Sequence, residues 1–311
     1  MNQLNPLEFS IFKKVSSFDS KDFLLSVSGG LDSMALLHIF IKMQSRLKFP
    51  IRVASVHHGS CSDSTMNIYR DESIKLVREV CSNHSLEFLT NTEKPTSSLK
   101  SEEEFRNFRR SFLDSVRSDN EFIVTAHHSN DQLETRIINL LRGTGIDGLV
   151  GMKEYGEPYF RPLLKVGKDV LLEYVANNKV PYKNDPSNED LNFLRNSVRK
   201  KLIPLIEEIR EGGVVNLSHS LDRIATELVD KKAEYAKLIR KGQILRTDYL
   251  SLAPDNRASL LVHFLREMEI LSFSSGQIHE LIKLLDKNQK KFTFKMLGRN
   301  WTVSESTIEL H

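Results

Sequence analysis

The sequence predicts an α/β fold: a doubly wound parallel sheet with a smaller, helix-rich C-terminal domain. Three observations predict it. Short apolar runs alternate with longer amphipathic stretches through the first half of the chain, a rhythm that calls for crossover connections and hence parallel strands. A glycine-rich turn, "SGGLDS", joins the first run to the first stretch. The polar strings "SGGLDS", "HHGSCSD" and "AHHSND" all fall where a strand should end, which is where such sheets gather ligands.

Taken in order, Phe23–Val27 reads as a strand and Ser33–Met43 as a helix. Arg52–Val56 is the second strand. Ser64–Asn83 follows as a long helix, with Ile68, Ile74, Leu76, Val77 and Val80 as its apolar positions. Leu86–Thr90 is the third strand and leads into a polar loop, "NTEKPTSS". Glu102–Val116 has helical period, Phe122–Ala126 is a strand, and Asp131–Leu141 is a helix. "RGTGIDGLVGM", with its four glycines, reads as a mobile loop. Two helical stretches around a turn-rich polar connector come next. Gly212 and Gly213 then mark a boundary, giving a first domain over 1–212, a linker helix over 213–241 and a C-terminal module over 242–311. That module is helix-biased and ends in a hairpin of "KFTFKML" and "WTVSEST".

Composition narrows the function classes. The chain has 311 residues, 40% hydrophobic and 27% charged, as a water-soluble two-domain protein would have. A net charge of +3 leaves nucleic-acid affinity to local patches. Cys61 and Cys81 are the only cysteines, and no CxxC or Cys/His cluster is present, which argues against a disulfide framework and a zinc site. No signal peptide or membrane-length apolar run is visible, so no membrane partner and a cytoplasmic location are expected.

Ser28, Gly29, Gly30, Leu31, Asp32 and Ser33 form the opening loop. Glycines turn tightly and bare their N–H groups, and the following helix adds its positive N-terminal end, so the loop suits an anion. A Walker loop would end in Gly-Lys-Ser/Thr. Here Asp32 stands instead, and an acid beside phosphates makes sense as a ligand for Mg²⁺. A plain strand–turn–helix junction capped by Asp32 or Ser33 is the simpler alternative.

"TAHHSNDQLET" is the second constellation. Asn130 is expected to cap the helix that begins at Asp131, and Asp131 and Glu134 lie on one face of its first turn. Arg106 and Arg109 share a helical face, as do Arg195 and Arg199, and guanidinium forks pair well with phosphate or carboxylate. Asn188, in the connector, is a further polar contact for a ligand. Lys283, Lys287, Lys290, Lys291, Lys295 and Arg299 form a basic stretch broken only by Asp286, either a solvated face or a grip on RNA phosphates.

"SGGLDS" resembles the loop of the N-type ATP pyrophosphatases, the PP-loop family, which split ATP between its α- and β-phosphates to adenylate a substrate oxygen. "AHHSNDQLET", "RGTGIDGLVGM", "RPLL", "NDPSNEDLNFLRNSVR" and "FRNFRRSFL" are similar, in this order apart from the last, to motifs of the tRNA(Ile)-lysidine synthetases. The resemblance spans about residues 23–206 and is to short members of that family. One departure stands at Asn130, where the family has an aspartate.

The resemblance implies a ligase that uses ATP and free L-lysine to convert the wobble cytidine of tRNA(Ile) with anticodon CAU into lysidine. It implies Ser28–Ser33 on the ATP phosphates and Asp32 on Mg²⁺. His127 and Arg106 or Arg109 would steady phosphate charge, Arg199 would belong to the same site, and Asp131 and Glu134 would hold and help deprotonate the lysine amine. A homodimer is an assembly it allows. A tRNA 2-thiolation enzyme shares the loop but would call for cysteine pairs, whereas Cys61 and Cys81 lie twenty apart. A non-catalytic tRNA-binding relative is the other alternative.

Overall fold

Phe23, Leu24 and Leu25 are fully buried in succession. A strand apolar at consecutive positions needs cover on both faces, which a parallel sheet between helical layers provides. The computed structural model describes residues 4–18, 21–47, 49–91, 95, 99, 101–143, 146–270, 272–287 and 289–311, the side chains of 146, 147 and 232 excepted. It divides into two compact units, residues 1–219 and 220–311.

In the first unit, α1 (Pro6–Ser16) precedes β1 (Asp22–Ser26), α2 (Leu31–Met43), β2 (Ile51–Ser55), α3 (Ser64–Asn83), β3 (Glu87–Thr90), α4 (Glu102–Val116), β4 (Glu121–Val124) and α5 (Ser129–Leu141). Next come α6 (Ile146–Val150), β5 (Tyr155–Gly156), β6 (Tyr159–Phe160) and α7 (Lys168–Asn178). The sheet order is β3-β2-β1-β4-β6-β5, parallel throughout except for the β5–β6 pair. Side chains alternate across it. Phe23, Leu25, Val53, Phe122 and Val124 pack with Ile11 of α1, Phe40 of α2 and Leu171 of α7, whereas Leu24, Ala54 and Ile123 pack under Leu113 of α4. From β1 the chain builds outward through β2 to β3, then crosses back to place β4 on β1's other side. The switch in direction opens a crevice between the carboxyl ends of β1 and β4.

Each expected strand and helix of this half is present, with ends shifted by up to two residues. The glycine-rich segment differs. It contains the helix α6, while Thr144 and Gly145, like most of "NTEKPTSS", lie outside the described residues. Gln132 explains part of the order, because it accepts from Met152 N (2.8 Å) and donates to Met152 O (2.9 Å).

A 3-10 turn (Pro186–Glu189) leads to α8 (Leu194–Ser197), a wider π-type turn (Val198–Leu202) and α9 (Ile203–Ile209). The long helix α10 (Gly213–Leu238) carries the chain from one unit into the other. The second unit contains β7 (Ile239–Arg240), β8 (Gln243–Leu245), α11 (Arg246–Ser251), α12 (Pro254–Glu267), α13 (Ser275–Leu285), β9 (Phe292–Met296), β10 (Arg299–Val303) and β11 (Thr307–Leu310). Its strands form one antiparallel sheet, β7-β8-β11-β10-β9, more sheet than a helix-biased reading of the sequence expects. The expected hairpin is β9–β10, and Trp301 stacks on Phe294 with ring centroids 5.8 Å apart. No helix among the described residues is long and apolar enough to cross a membrane.

Candidate active site

The loop from Ser28 to Ser33 sits at the crevice. Gly29 has φ +82°, and a Cβ there would fall 2.9 Å from the Ser73 side chain of α3, so both conformation and space require glycine. Ser33 Oγ donates to Gly30 O (2.9 Å) and accepts from Ser28 N (3.1 Å), tying the loop to itself. Gly30 is the N-cap of α2 and has no side chain to cap it, so the first N–H groups of the helix are left for a ligand.

Asp32 lies in the first turn of α2, and its partner is one that linear reading missed. Lys168, the first residue of α7, forms an ion pair with Asp32 Oδ1 from 136 residues downstream. The loop that lacks its own lysine thus receives one from another helix. His128 Nε2 lies 3.6 Å from Asp32 Oδ2 and 3.4 Å from Asp131 Oδ2. Burial alone would raise the Asp32 pKa, but the His128 hydrogen bond and the Lys168 charge outweigh it, and the net shift is downward.

Asn130 corrects a sequence expectation. Helix α5 begins at Ser129, two residues early, with His128 as N-cap, and the Asp131 carboxylate accepts from His128 N at 3.0 Å. Asn130 therefore caps no helix of its own. Its Oδ1 accepts instead from Lys168 N at 3.2 Å, the first N–H of α7, whose own N-cap, Gly167, has no side chain. The amide caps α7 from outside and fixes the residue that reaches Asp32. An Asp/Asn choice there bears on this contact, since either can accept the N–H.

Glu134 is buried and spoken for. Its Oε2 accepts from Arg195 Nε (3.0 Å) and Arg199 Nη2 (3.0 Å), and its Oε1 accepts from Arg199 Nε (2.7 Å). Arg199 Nη2 also lies 3.4 Å from Asp131 Oδ1, and Arg195 reaches Thr135 Oγ1 at 2.9 Å and Glu102 Oε1 at 3.2 Å. For Arg199, burial opposes the charge, yet Glu134 and Asp131 raise its pKa overall. The π-type turn carries Arg199. A one-turn π bulge is a common local device for aiming a side chain at a site.

His127 accepts or donates at Nδ1 with Thr125 Oγ1, 2.8 Å away. Burial, and then the charges of Arg161, Arg109 and Arg195, push its pKa down to about 3 against the pull of Asp131. His58, at the end of β2, is pushed down to about 4 by burial, Arg109 and Arg70. Two neutral imidazoles therefore face a cationic crevice. Arg106 and Arg109 on α4 have their pKa values lowered by desolvation and by one another's neighbourhood of arginines, Arg110 and Arg195 for Arg106, and Arg106 and Arg195 for Arg109. Glu102 opposes the crowding only in part, so the net shift is downward for both, which favours a bound anion.

Asn188 lies exposed on the 3-10 turn, and among the described residues its side chain makes no hydrogen bond. The connector that carries it is nonetheless fastened to the site, because Lys183 N donates to Gly29 O at 2.9 Å. Buried Asn196 donates to Ser187 O and Asp190 O, both at 2.8 Å, and so holds the turn's shape.

Of the residues expected from sequence, Asp32, Asp131, Glu134 and Arg199 belong to one connected network at the loop, and His127 meets it through the charge of Asp131. Arg106 and Arg109 flank it through charge, and Asn188 stands on its rim. Lys168, His128, His58 and Arg161 were missed. Only the position of Lys168 directly after Gly167, at a helix start, could have drawn attention to it.

A carboxylate at the end of a loop built for phosphate, on a parallel sheet at its switch point, defines a PP-loop domain, and the model described as "PP-loop domain" matches residues 5–206. The solved structure of a U34-tRNA thiolase, NcsA, from Methanococcus maripaludis shares the fold, with TM-score 0.55 and 15% identity over 71% of this chain and 78% of that one. The tRNA(Ile)-lysidine synthase of Bdellovibrio bacteriovorus is 32% identical over 305 residues, 96% of this chain and 94% of that protein. That of Thermosipho africanus is 30% identical over 283 residues, 88% of this chain and 63% of its own length. The chain belongs to the tRNA(Ile)-lysidine synthase family and is an enzyme, a ligase of the PP-loop type.

Proposed function

We propose that the protein ligates free L-lysine to the wobble cytidine of tRNA(Ile) with anticodon CAU, using ATP. The observation that carries this reading is the joining of Asp32, Lys168, His128 and Asp131 at the loop, which sets a phosphate site against a carboxylate able to hold an amine. The loop N–H groups and α2 would bind the ATP phosphates. Asp32 fits Mg²⁺, which keeps one or two carboxylates and takes its other oxygens from phosphate and water. Bound there, the ion would neutralise phosphate charge. Lys168, once Asp32 is so engaged, is the nearest cation for a phosphate oxygen.

Attack of cytidine O2 on the α-phosphorus forms the adenylated base and releases pyrophosphate. The lysine Nε then attacks C2 and AMP leaves. That amine is mostly protonated at neutral pH, since free lysine titrates near ~10.4. Asp131, with one oxygen toward Arg199 and the other toward His128, would hold the ammonium and take its proton. Glu134, spent on two arginines, would serve by fixing Arg195 and Arg199 rather than by meeting the lysine. Neutral His127 would accept or donate a hydrogen bond without adding charge.

In the second unit, Lys283, Lys287, Lys290, Lys291, Lys295 and Arg299 are all exposed. Asp286 is occupied by Arg257 (3.0 Å) and Tyr249 Oη (3.0 Å), and among the described residues only Lys290 of the six has an acid, Glu305 at 3.1 Å. Buried Arg246 donates to Lys287 O (2.8 Å), Gln289 O (2.7 Å) and Ser304 O (3.1 Å), fixing the loop that presents the lysines. We read this face as a grip on tRNA phosphates. Incubating the protein with labelled lysine, ATP and total bacterial tRNA tests the whole reading. ATP-dependent label in tRNA, with AMP formed in equal amount, is expected. No transfer of label by a folded, tRNA-binding protein would refute it.

A further inference from the structure

Where α4 crosses β6, three arginines gather around one aromatic ring. Arg110 lies over Tyr159 with Cζ 5.6 Å from the ring centroid, and Arg161 lies over the same ring at 5.2 Å. Tyr159 packs on the α4 face of the sheet beside Leu113 and Ile123, so the ring is a fixed platform. Arg106, one turn before Arg110 on α4, completes the group. Among the described residues, no carboxylate forms an ion pair with Arg106, Arg110 or Arg161. Among the described residues, the only guanidinium hydrogen bond of the three runs from Arg161 Nη1 to Lys153 O at 3.0 Å, and buried Arg161 Nε and Tyr159 Oη have no partner.

Burial first, and then the neighbouring arginine charges, lower the pKa values of Arg106 and Arg161, with Glu102 opposing at Arg106. The ring explains why two of them stack there. Arg106 and Arg110 are exposed, so their N–H groups face solvent and are free to take an anion. Guanidinium forks match phosphate geometry. Tyr159 stands on β6, two strand spacings, about 10 Å, from β1, whose end carries the loop that would take ATP. Arg106 also feels the charge of Arg195, and Arg161 feels those of Arg106 and Arg110, so the group draws on α4, α8 and the end of β6. Guanidinium groups carried by three separate elements suit several phosphates of one strand.

We propose that Arg106, Arg110 and Arg161, stacked about Tyr159, bind backbone phosphates of the RNA strand that carries the target base. The inference rests on the RNA-modifying reading given above. Contacts of this kind hold the strand in register and read no sequence. The phosphates belong to RNA and not to ATP or pyrophosphate, and the experiment separates the two.

Full-length wild-type protein and Arg110→Gln are compared for binding of a CAU-anticodon tRNA transcript across salt concentrations, and separately for binding of ATP. Arg110→Gln should weaken tRNA binding by on the order of tenfold at low salt and flatten the log–log salt slope by about 0.7. ATP affinity should not move. Arg110→Lys should recover much of the slope but less of the affinity, because it keeps the charge and loses the fork. An unchanged tRNA affinity and slope in Arg110→Gln would overturn the proposal, as would a loss confined to ATP or pyrophosphate. If the glutamine variant fails to fold, equal tRNA affinity for Arg110→Lys and wild type would also overturn it. Should wild type bind tRNA with the expected slope yet attach no lysine, the ligase reading fails while the phosphate contacts stand.

Discussion

Replacing Glu134 by glutamine separates a residue that positions arginines from one that binds an amine. The carboxylate is 1% exposed, and its two oxygens accept three N–H groups from Arg195 and Arg199. An amide keeps only one oxygen. However it is turned, its NH₂ meets at least one guanidinium N–H, and two cations are left facing a neutral group. Removing one partner of a buried charge pair costs about 3–5 kcal/mol. Arg195 and Arg199 are 25% and 38% exposed, so water recovers part of this. The expected loss is roughly 2–3 kcal/mol. At about 2–4 °C per kcal/mol for a domain of this size, the catalytic unit's unfolding midpoint should fall by roughly 5–10 °C in calorimetry of the full chain. Turnover should drop with it, and lysine KM should change less than kcat. A Glu134→Gln protein with the wild-type midpoint and a lysine KM raised many-fold would refute the reasoning and return Glu134 to the amine site.

Lys168→Gln should raise the KM for ATP by about tenfold or more and leave that for lysine nearly unchanged, with a stability loss under about 1 kcal/mol because the pair is about one-third exposed. Equal effects on both substrates would count against a phosphate role. Asn130→Ala should cost about 1 kcal/mol through loss of the cap on α7, and Asn130→Asp should retain stability, both read by thermal unfolding. His58 and His127 are held neutral with folded pKa values of about 4 and about 3, below the unfolded value near ~6.5. The unfolded chain therefore takes up protons first as pH falls. Stability should be full above pH ~6.5 and fall by roughly 3–4 kcal/mol between pH ~7 and ~5. Urea unfolding at the two pH values checks this, and an equal midpoint would contradict the burial of these rings.

What could be read along the chain is what local rules decide. The burial of Phe23, Leu24 and Leu25, the glycine at Gly29 and the carboxylates of α5 follow from strand, turn and helix periodicity, and each stays beside its own strand end. The network that makes these groups a site is long-range. Lys168 meets Asp32 across 136 residues, and Arg199 meets Glu134 across 65, with no pattern in either segment that names the other. Asn130 shows the limit most sharply. Its residue type favours a cap, yet the helix it caps is α7 and not α5, because α5 starts earlier on the backbone of His128. The C-terminal sheet was partly hidden for a similar reason. Its strands β7 and β8 have two and three residues, too short to display a period, and they pair with β11 from the far end of the chain.

These long-range contacts also answer why a phosphate loop can do without a lysine of its own. Ser129 N donates to Val166 O at 2.9 Å and Asn130 accepts from Lys168 N, so the segment leading into α7 is tied twice to the start of α5. That start is in turn fixed to β4, beside β1 in the sheet. Lys168 is thereby set against Asp32 by the same crevice that holds the loop, and its distance in sequence does not matter. Moving the lysine along α7 should not rescue its loss. With Lys168→Gln in place, Leu172→Lys would put an amine one helical turn further from the loop, where the two ties no longer direct it. The double variant should keep the raised KM for ATP. Recovery of the wild-type KM would show that charge near the loop suffices and that the cap by Asn130 has no part in placing it.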